Sequence, residues 1–123
     1  MSRTTSWRID KSMIQVCLAL ALTPRAVRFY EQRGLLCPER DAQGRRRYGP
    51  DAMARLEIIA RARRAGLSLD NIGAILAAGD RDGAAARDAL MADLCADRLR
   101  ELDAERAELL SIVGGLSRPS IAA

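Results

Sequence analysis

Apolar positions recur at helical spacing over most of this chain. Met13, Val16, Cys17 and Leu20 stand at offsets of three, four and seven from the first, which puts them on one face, and Ser12 ahead of them is a good N-cap, so a first helix is expected over 13–21. Leu18 and Leu22 widen its apolar surface. Thr23 and Pro24 suit the cap and first position of a second helix running to about Arg33, with Val27 and Phe29 turned inward. Gly34 can end that helix in a left-handed conformation. Pro38 stiffens the exit, and Asp41-Ala42-Gln43-Gly44 has turn chemistry, so a hairpin closed by Tyr48 is expected. Pro50 and Asp51 start a third helix to Ala65, whose apolar face is Met53, Leu56, Ile59 and Ala60. Gly66 stops it, and Ser68 caps a fourth helix with Leu69, Ile72, Ile75 and Leu76 inward. The run GDRDG over 79–83 reads as a polar break. A long helix follows, in which Cys95, Leu99, Leu102, Leu109, Val113 and Leu116 keep a heptad seam interrupted at Arg106.

These elements divide the chain into an N-terminal arm (1–11), a compact domain (12–78), a linker (79–83), a long helix (84–116) and a tail (117–123). In the arm, Trp7 and Ile9 are candidates for a short strand packed on the domain. A helix as long as the fifth cannot bury its stripe on a small domain alone. Pairing with the same helix of a second chain answers that need; folding back on its own domain is the alternative.

Charge sharpens the picture. The whole chain carries a formal +4, but residues 1–78 hold 14 basic against 7 acidic residues, and residues 79–123 hold 6 against 9. A basic first part suits a polyanion; the acidic remainder does not. Aromatics are 3% of the residues, so the core must be built mostly from Ala, Leu and Ile. The chain has no histidine, which removes the commonest general base and metal ligand. Cys17, Cys37 and Cys95 are far apart and make neither a disulfide framework nor a zinc motif. An enzyme is disfavoured on these grounds, and no cofactor or metal is expected. No apolar run is long enough to span a membrane, and a reducing cytoplasm is the expected setting.

The candidate chemistry is therefore a protein–DNA contact. The second helix offers Arg25, Arg28 and Tyr30, and the hairpin offers Arg40, Arg45, Arg46 and Tyr48. A helix with protruding basic and aromatic side chains can enter a major groove while an arginine-flanked loop reaches the phosphate backbone. For Tyr48, core packing and backbone contact are both open.

The stretch from Thr23 to Tyr48 resembles the MerR family of winged helix-turn-helix transcription regulators. The resemblance rests on Thr23-Pro24, Arg28-Phe29-Tyr30-Glu31, Gly34-Leu35-Leu36, Pro38, Arg40, Gly44, Arg46 and Tyr48, and continues through Ala65-Gly66-Leu67-Ser68-Leu69-Asp70-Asn71-Ile72. Its first helix lies farther from the chain start than is usual there, and Ala21 stands where the family tends to have a glycine turn. The resemblance implies a mostly α fold: a winged helix-turn-helix DNA-binding domain followed by a long antiparallel coiled-coil dimerisation helix, with Leu99, Leu102, Leu109 and Val113 at the seam. It also implies a homodimer that bends and untwists double-stranded promoter DNA and changes how RNA polymerase engages it. The cysteines of metal-sensing relatives have no counterpart, since Gly83, Ala84, Ala85 and Ala86 occupy the start of the long helix. No small-molecule effector is written in the sequence. Cys95, on the apolar seam, is read as packing, with a thiol sensor as the alternative. A DNA-bending protein of the excisionase type, without promoter regulation, is the competing function; the long heptad helix argues against it.

Overall fold

The computed structural model describes residues 10–116. The arm and its Trp7 and Ile9, and the tail from Ser117, lie outside the described residues. Five helices and one small hairpin follow in order: α1 Met13–Leu20, α2 Pro24–Gln32, β1 Glu39–Arg40, β2 Arg46–Arg47, α3 Pro50–Arg64, α4 Leu69–Asp82 and α5 Ala84–Gly115. The fold is mostly helical, as expected.

Local chemistry explains where the helices start. Ser12 forms a reciprocal capping box: its hydroxyl accepts from the Gln15 N–H, and the Gln15 side chain accepts from the Ser12 N–H. Thr23 accepts from the Ala26 N–H at 3.1 Å, and Ser68 from the Asn71 N–H at 3.1 Å. Gly34, Gly44 and Gly66 all take positive φ where the chain turns.

The corner between α1 and α2 has no glycine. Ala21 itself adopts the left-handed conformation, φ 55° and ψ 45°, with its N–H bonded to the Cys17 carbonyl. An L-residue pays about 1–2 kcal/mol for that conformation. Ala21→Gly should therefore raise stability by about 1 kcal/mol, visible as a higher midpoint in thermal unfolding. An unchanged or lower midpoint would show that the corner is not strained.

The first four helices enclose one core. Val16 of α1, Val27 of α2, Leu56 and Ile59 of α3, and Ile72 and Ile75 of α4 are all completely buried, and Tyr48 joins them from the end of the hairpin. Phe29 does not: it is 42% exposed on the outer side of α2.

Two expectations about the second half change. The polar break at 79–83 is helical through Asp82, and Gly83 alone joins α4 to α5. Gly79 permits the close approach of the two helices rather than ending one: a Cβ there would stand 3.2 Å from the Cβ of Arg87. From that contact α5 runs back along α4, so that Arg98 reaches the Ala65 carbonyl beside Gly66. Leu90, Met91, Leu94 and Cys95 pack against the core of their own chain. The long helix is thus anchored over its first half; Leu99 and Leu102 still border a groove beside Arg64 and Gly66, and the described residues beyond them are all exposed.

Candidate nucleic-acid interface

Helix α2 turns two faces to different surroundings. Val27 and Tyr30 are buried, while Arg25, Arg28, Phe29 and Gln32 are exposed. Positions 25, 28, 29 and 32 are spaced three, four and seven apart, the spacing of a single helical stripe. Arg25 and Arg28 make no hydrogen bond or ion pair among the described residues. Their guanidinium donors are therefore uncommitted. Tyr30 is 7% exposed, and its hydroxyl has no partner among the described residues. Because no buried side-chain polar atom there is left unsatisfied, that hydroxyl meets solvent.

The hairpin is held by its own turn. Strands β1 and β2 pair antiparallel in the register Glu39↔Arg47 and Arg40↔Arg46. Between them the Asp41 carboxylate accepts from the N–H groups of Gln43 (2.9 Å) and Arg45 (3.0 Å). The Arg45 N–H is the main reason the Asp41 carboxyl is held below the usual carboxylate range. Arg40 donates from Nη1 to the Gly44 carbonyl at 2.8 Å, and the exposed Arg45 lies 3.4 Å from Asp41. Arg47 donates to the Asp10 carbonyl at 2.7 Å, and Lys11 and Tyr48 exchange two backbone hydrogen bonds of 2.8 Å. The chain before α1 is thereby stitched to the hairpin as an extra bridge.

One carboxylate ties the hairpin to α2. Glu31 accepts from Arg46 Nε at 2.9 Å on one oxygen and from the Tyr48 hydroxyl at 2.6 Å on the other. Burial first, and the bond to Glu31 second, raise the Tyr48 phenol well above the ordinary tyrosine range. Tyr48 is therefore core and not a surface contact; the expectation that it touches DNA is corrected, because its ring is fully buried and its hydroxyl is already engaged.

Arg28, Arg40, Arg45, Arg46 and Arg47 together line one open groove between α2, the hairpin and the start of α1. The structure brings four of the expected residues, Arg28, Arg40, Arg45 and Arg46, to that groove, with Arg25 farther along the α2 stripe. Arg47 also lines it; the sequence places it with Arg45 and Arg46 on one flank of the turn, though not among the candidate contacts. Glu31 lay inside the recognisable stretch but carries no charge that suggests DNA.

On α5, Leu99, Leu102, Leu109 and Val113 are exposed in the single chain, as are Leu110, Ile112 and Leu116. Cys95 instead sits half-buried against its own domain, beside Arg64, Gly66 and Arg98. Glu105, beside Arg106, lies 3.6 Å from Arg98 of its own helix. Among the described residues no cluster of His, Cys, Asp or Glu could hold a metal ion, and no helix is long and apolar enough to cross a membrane.

A helix-turn-helix with a basic hairpin at its side and free arginines on its second helix defines a nucleic-acid-binding domain. Residues 12–79 match the family described as MerR HTH family regulatory protein, and residues 53–118 match that described as MerR, DNA binding. The chain belongs to the MerR family of transcriptional regulators. It is 38% identical over 93 residues to the uncharacterized HTH-type transcriptional regulator PA4778 of Pseudomonas aeruginosa, a match covering 74% of this chain and 68% of that one. It is 40% identical over 63 residues to the HTH-type transcriptional regulator CueR of Vibrio cholerae, covering 50% of this chain but only 45% of that one. Among solved structures, HiNmlR, a MerR family regulator lacking the sensor domain and bound to promoter DNA, superposes with a TM-score of 0.64 at 21% identity, covering 83% of this chain and 79% of that one. A MerR family regulator from Listeria monocytogenes reaches 0.66 at 23%, covering 83% and 80%. These two likenesses establish the fold.

Proposed function

We propose that this protein is a sequence-specific transcription regulator that binds double-stranded promoter DNA in the cytoplasm as a homodimer. The observation that carries the reading is the uncommitted pair Arg25 and Arg28 on the outer stripe of α2, flanked by a groove of hairpin arginines. Guanidinium groups free of protein partners on a helix of this kind read guanine edges in a major groove, and arginines of the hairpin, the wing, hold phosphates beside it. Tyr30 adds a phosphate contact through its hydroxyl.

One α2 reads only a few base pairs, so specificity requires two copies. The apolar stripe of α5 from Leu99 to Leu116 supplies the joint, and an antiparallel pairing of two such helices puts one DNA-binding domain at each end. Two wings gripping the outer backbone bend and untwist the DNA between them, a form of indirect readout that changes how RNA polymerase meets the promoter. No effector is assigned, and Cys95 is treated as packing.

Arg28→Ala should weaken binding to the selected operator by about 1–3 kcal/mol per half-site and relax base preference at one position in each. Arg45→Ala, by contrast, should weaken operator and random DNA alike and lower the salt slope by about one per chain, about two for the dimer. Titration of both DNAs over a salt series separates the two. Equal losses for Arg28→Ala on operator and random DNA would remove base readout by α2.

A further inference from the structure

We infer that Glu31 is the positioning residue of the DNA interface: an acidic side chain on the DNA-reading helix that strengthens binding to a polyanion by fixing the wing arginine Arg46. The inference rests on the DNA-binding reading above. An acid next to a phosphate-binding groove ordinarily opposes binding, since it repels the ligand. Here the geometry reverses that role. The Glu31 side chain is 13% exposed and its two oxygens are both engaged, one by Arg46 Nε and one by the Tyr48 hydroxyl. Its charge points into the protein and is neutralised there.

The consequence falls on Arg46. A guanidinium is planar, so fixing Nε fixes the whole fork. With Nε held by Glu31, the two terminal nitrogens have no partner among the described residues, and Arg46 lines the open groove. Tyr48 is completely buried in the core, and its hydroxyl donates to the second oxygen of Glu31. The chain of contacts therefore runs from core to Tyr48, to Glu31 and to Arg46. It also crosses from α2 to the wing, so the element that reads bases and the element that holds phosphate share one carboxylate. Arg40, Arg45 and Arg47 are fixed by other groups, namely the Gly44 carbonyl, Asp41 and the Asp10 carbonyl. Among the groove arginines, loss of Glu31 should therefore act on Arg46 alone; its other effect, on the Tyr48 hydroxyl, falls on stability and is read by the unfolding control.

The test is DNA titration over a salt series with the full chain and the variants E31A, E31Q, R46A, E31A/R46A and E31Q/R46A, each checked for cooperative thermal unfolding. R46A should lower the salt slope by about 0.9 per chain, the value for one phosphate contact, and so by about 1.8 for a bound dimer. E31A should produce the same loss of slope and weaker binding, although it makes the protein more positive. E31Q keeps an oxygen for Arg46 Nε and should recover most of the slope. In the R46A background neither change at Glu31 should alter affinity by more than about twofold, the ordinary scatter of independent sites. Tighter binding by E31A would mean that Glu31 acts only as a repelling charge, and the inference would fall. Additive losses in the double variants would also overturn it. If E31A does not fold, E31Q still decides: tighter binding by E31Q alone, or a change of more than about twofold when E31Q is added to R46A, ends the proposal. Should the wild type bind without salt dependence, the DNA-binding reading fails instead, and the two failures are distinct.

Discussion

Replacing Leu102 and Leu109 together by aspartate should convert the protein into a monomer that has lost operator recognition but keeps a folded N-terminal domain. Both leucines belong to α5 beyond the point where it leaves its own domain, and they are 42% and 63% exposed. Leu109 lies well beyond the domain, and Leu102 stands at the edge of a groove shared with Arg64 and Gly66 but remains open to a partner. Covering a leucine fully stabilises by about 1.5–3 kcal/mol, and each appears twice in a symmetric pair. In an antiparallel pair centred between these positions, residue 102 of one helix faces residue 109 of the other. The double change then opposes aspartate to aspartate in place of leucine to leucine, and the cost exceeds lost burial. The core of the domain is untouched, because Val16, Val27, Leu56, Ile59, Ile72 and Ile75 lie elsewhere. Sedimentation equilibrium should give one chain per particle, with a thermal transition retained. Operator affinity should fall to the level of random DNA, since the basic surface survives without a fixed second copy. A variant that stays dimeric, or that is monomeric with undiminished operator affinity, would show that α5 is not the joint.

Tyr48→Ala should cost about 3–5 kcal/mol, the range for truncating a fully buried aromatic side chain. Against a total stability of about 5–15 kcal/mol for a small domain, this is enough to unfold much of the population at physiological temperature. The damage has two parts. A cavity opens beneath the wing, and Glu31 loses the hydroxyl that holds one of its oxygens. Tyr48→Phe separates them: it keeps the ring and should cost only about 1–3 kcal/mol. The same pair of variants gives a pH signature. The phenol is raised in the folded protein, so the neutral form is the one that fits. Its contribution is fully present below the ordinary tyrosine value of about 10 and is lost as pH rises above it. Wild type should therefore lose stability in alkali relative to Tyr48→Phe, as read by denaturant unfolding from pH 8 to 11. Parallel curves would mean that the hydroxyl of Tyr48 is as free to ionise in the folded chain as in the unfolded one.

The sequence announces its helix starts because caps are local. Ser12, Thr23 and Ser68 each need only their own side chain and an N–H three residues on, and all three behave as expected. The positive-φ glycines at 34, 44 and 66 are legible for the same reason. What depends on distant residues is not. Phe29 was expected inside and is exposed, because on a short helix a small change of phase moves an aromatic from one face to the other. Gly79 looked like a break, but its role is set by Arg87 on the next helix. The polar residues around it suit the exposed side of a helix as well as a loop. Among the candidate site residues, Arg28, Arg40, Arg45 and Arg46 do converge, since charge density marks a phosphate-seeking surface. The Glu31 contact spans fifteen residues of sequence and has no local signature.

The single-residue junction at Gly83 has a geometric consequence for how operators and this protein can change together. Helix α5 is continuous over 32 residues, with one half clamped to α4 and the other projecting. It therefore behaves as a screw thread rather than a tether: any residue inserted between Cys95 and Leu99 turns the projecting half by about 100° and advances it by about 1.5 Å. One added residue swings the leucine stripe away from its partner. Seven added residues bring it nearly back into phase and lengthen each arm by about 10 Å. In a homodimer joined along this stripe, the distance between the two reading helices can thus shift only in quantised steps. Base-pair spacings that fall between those steps are out of reach for point substitutions in the stripe.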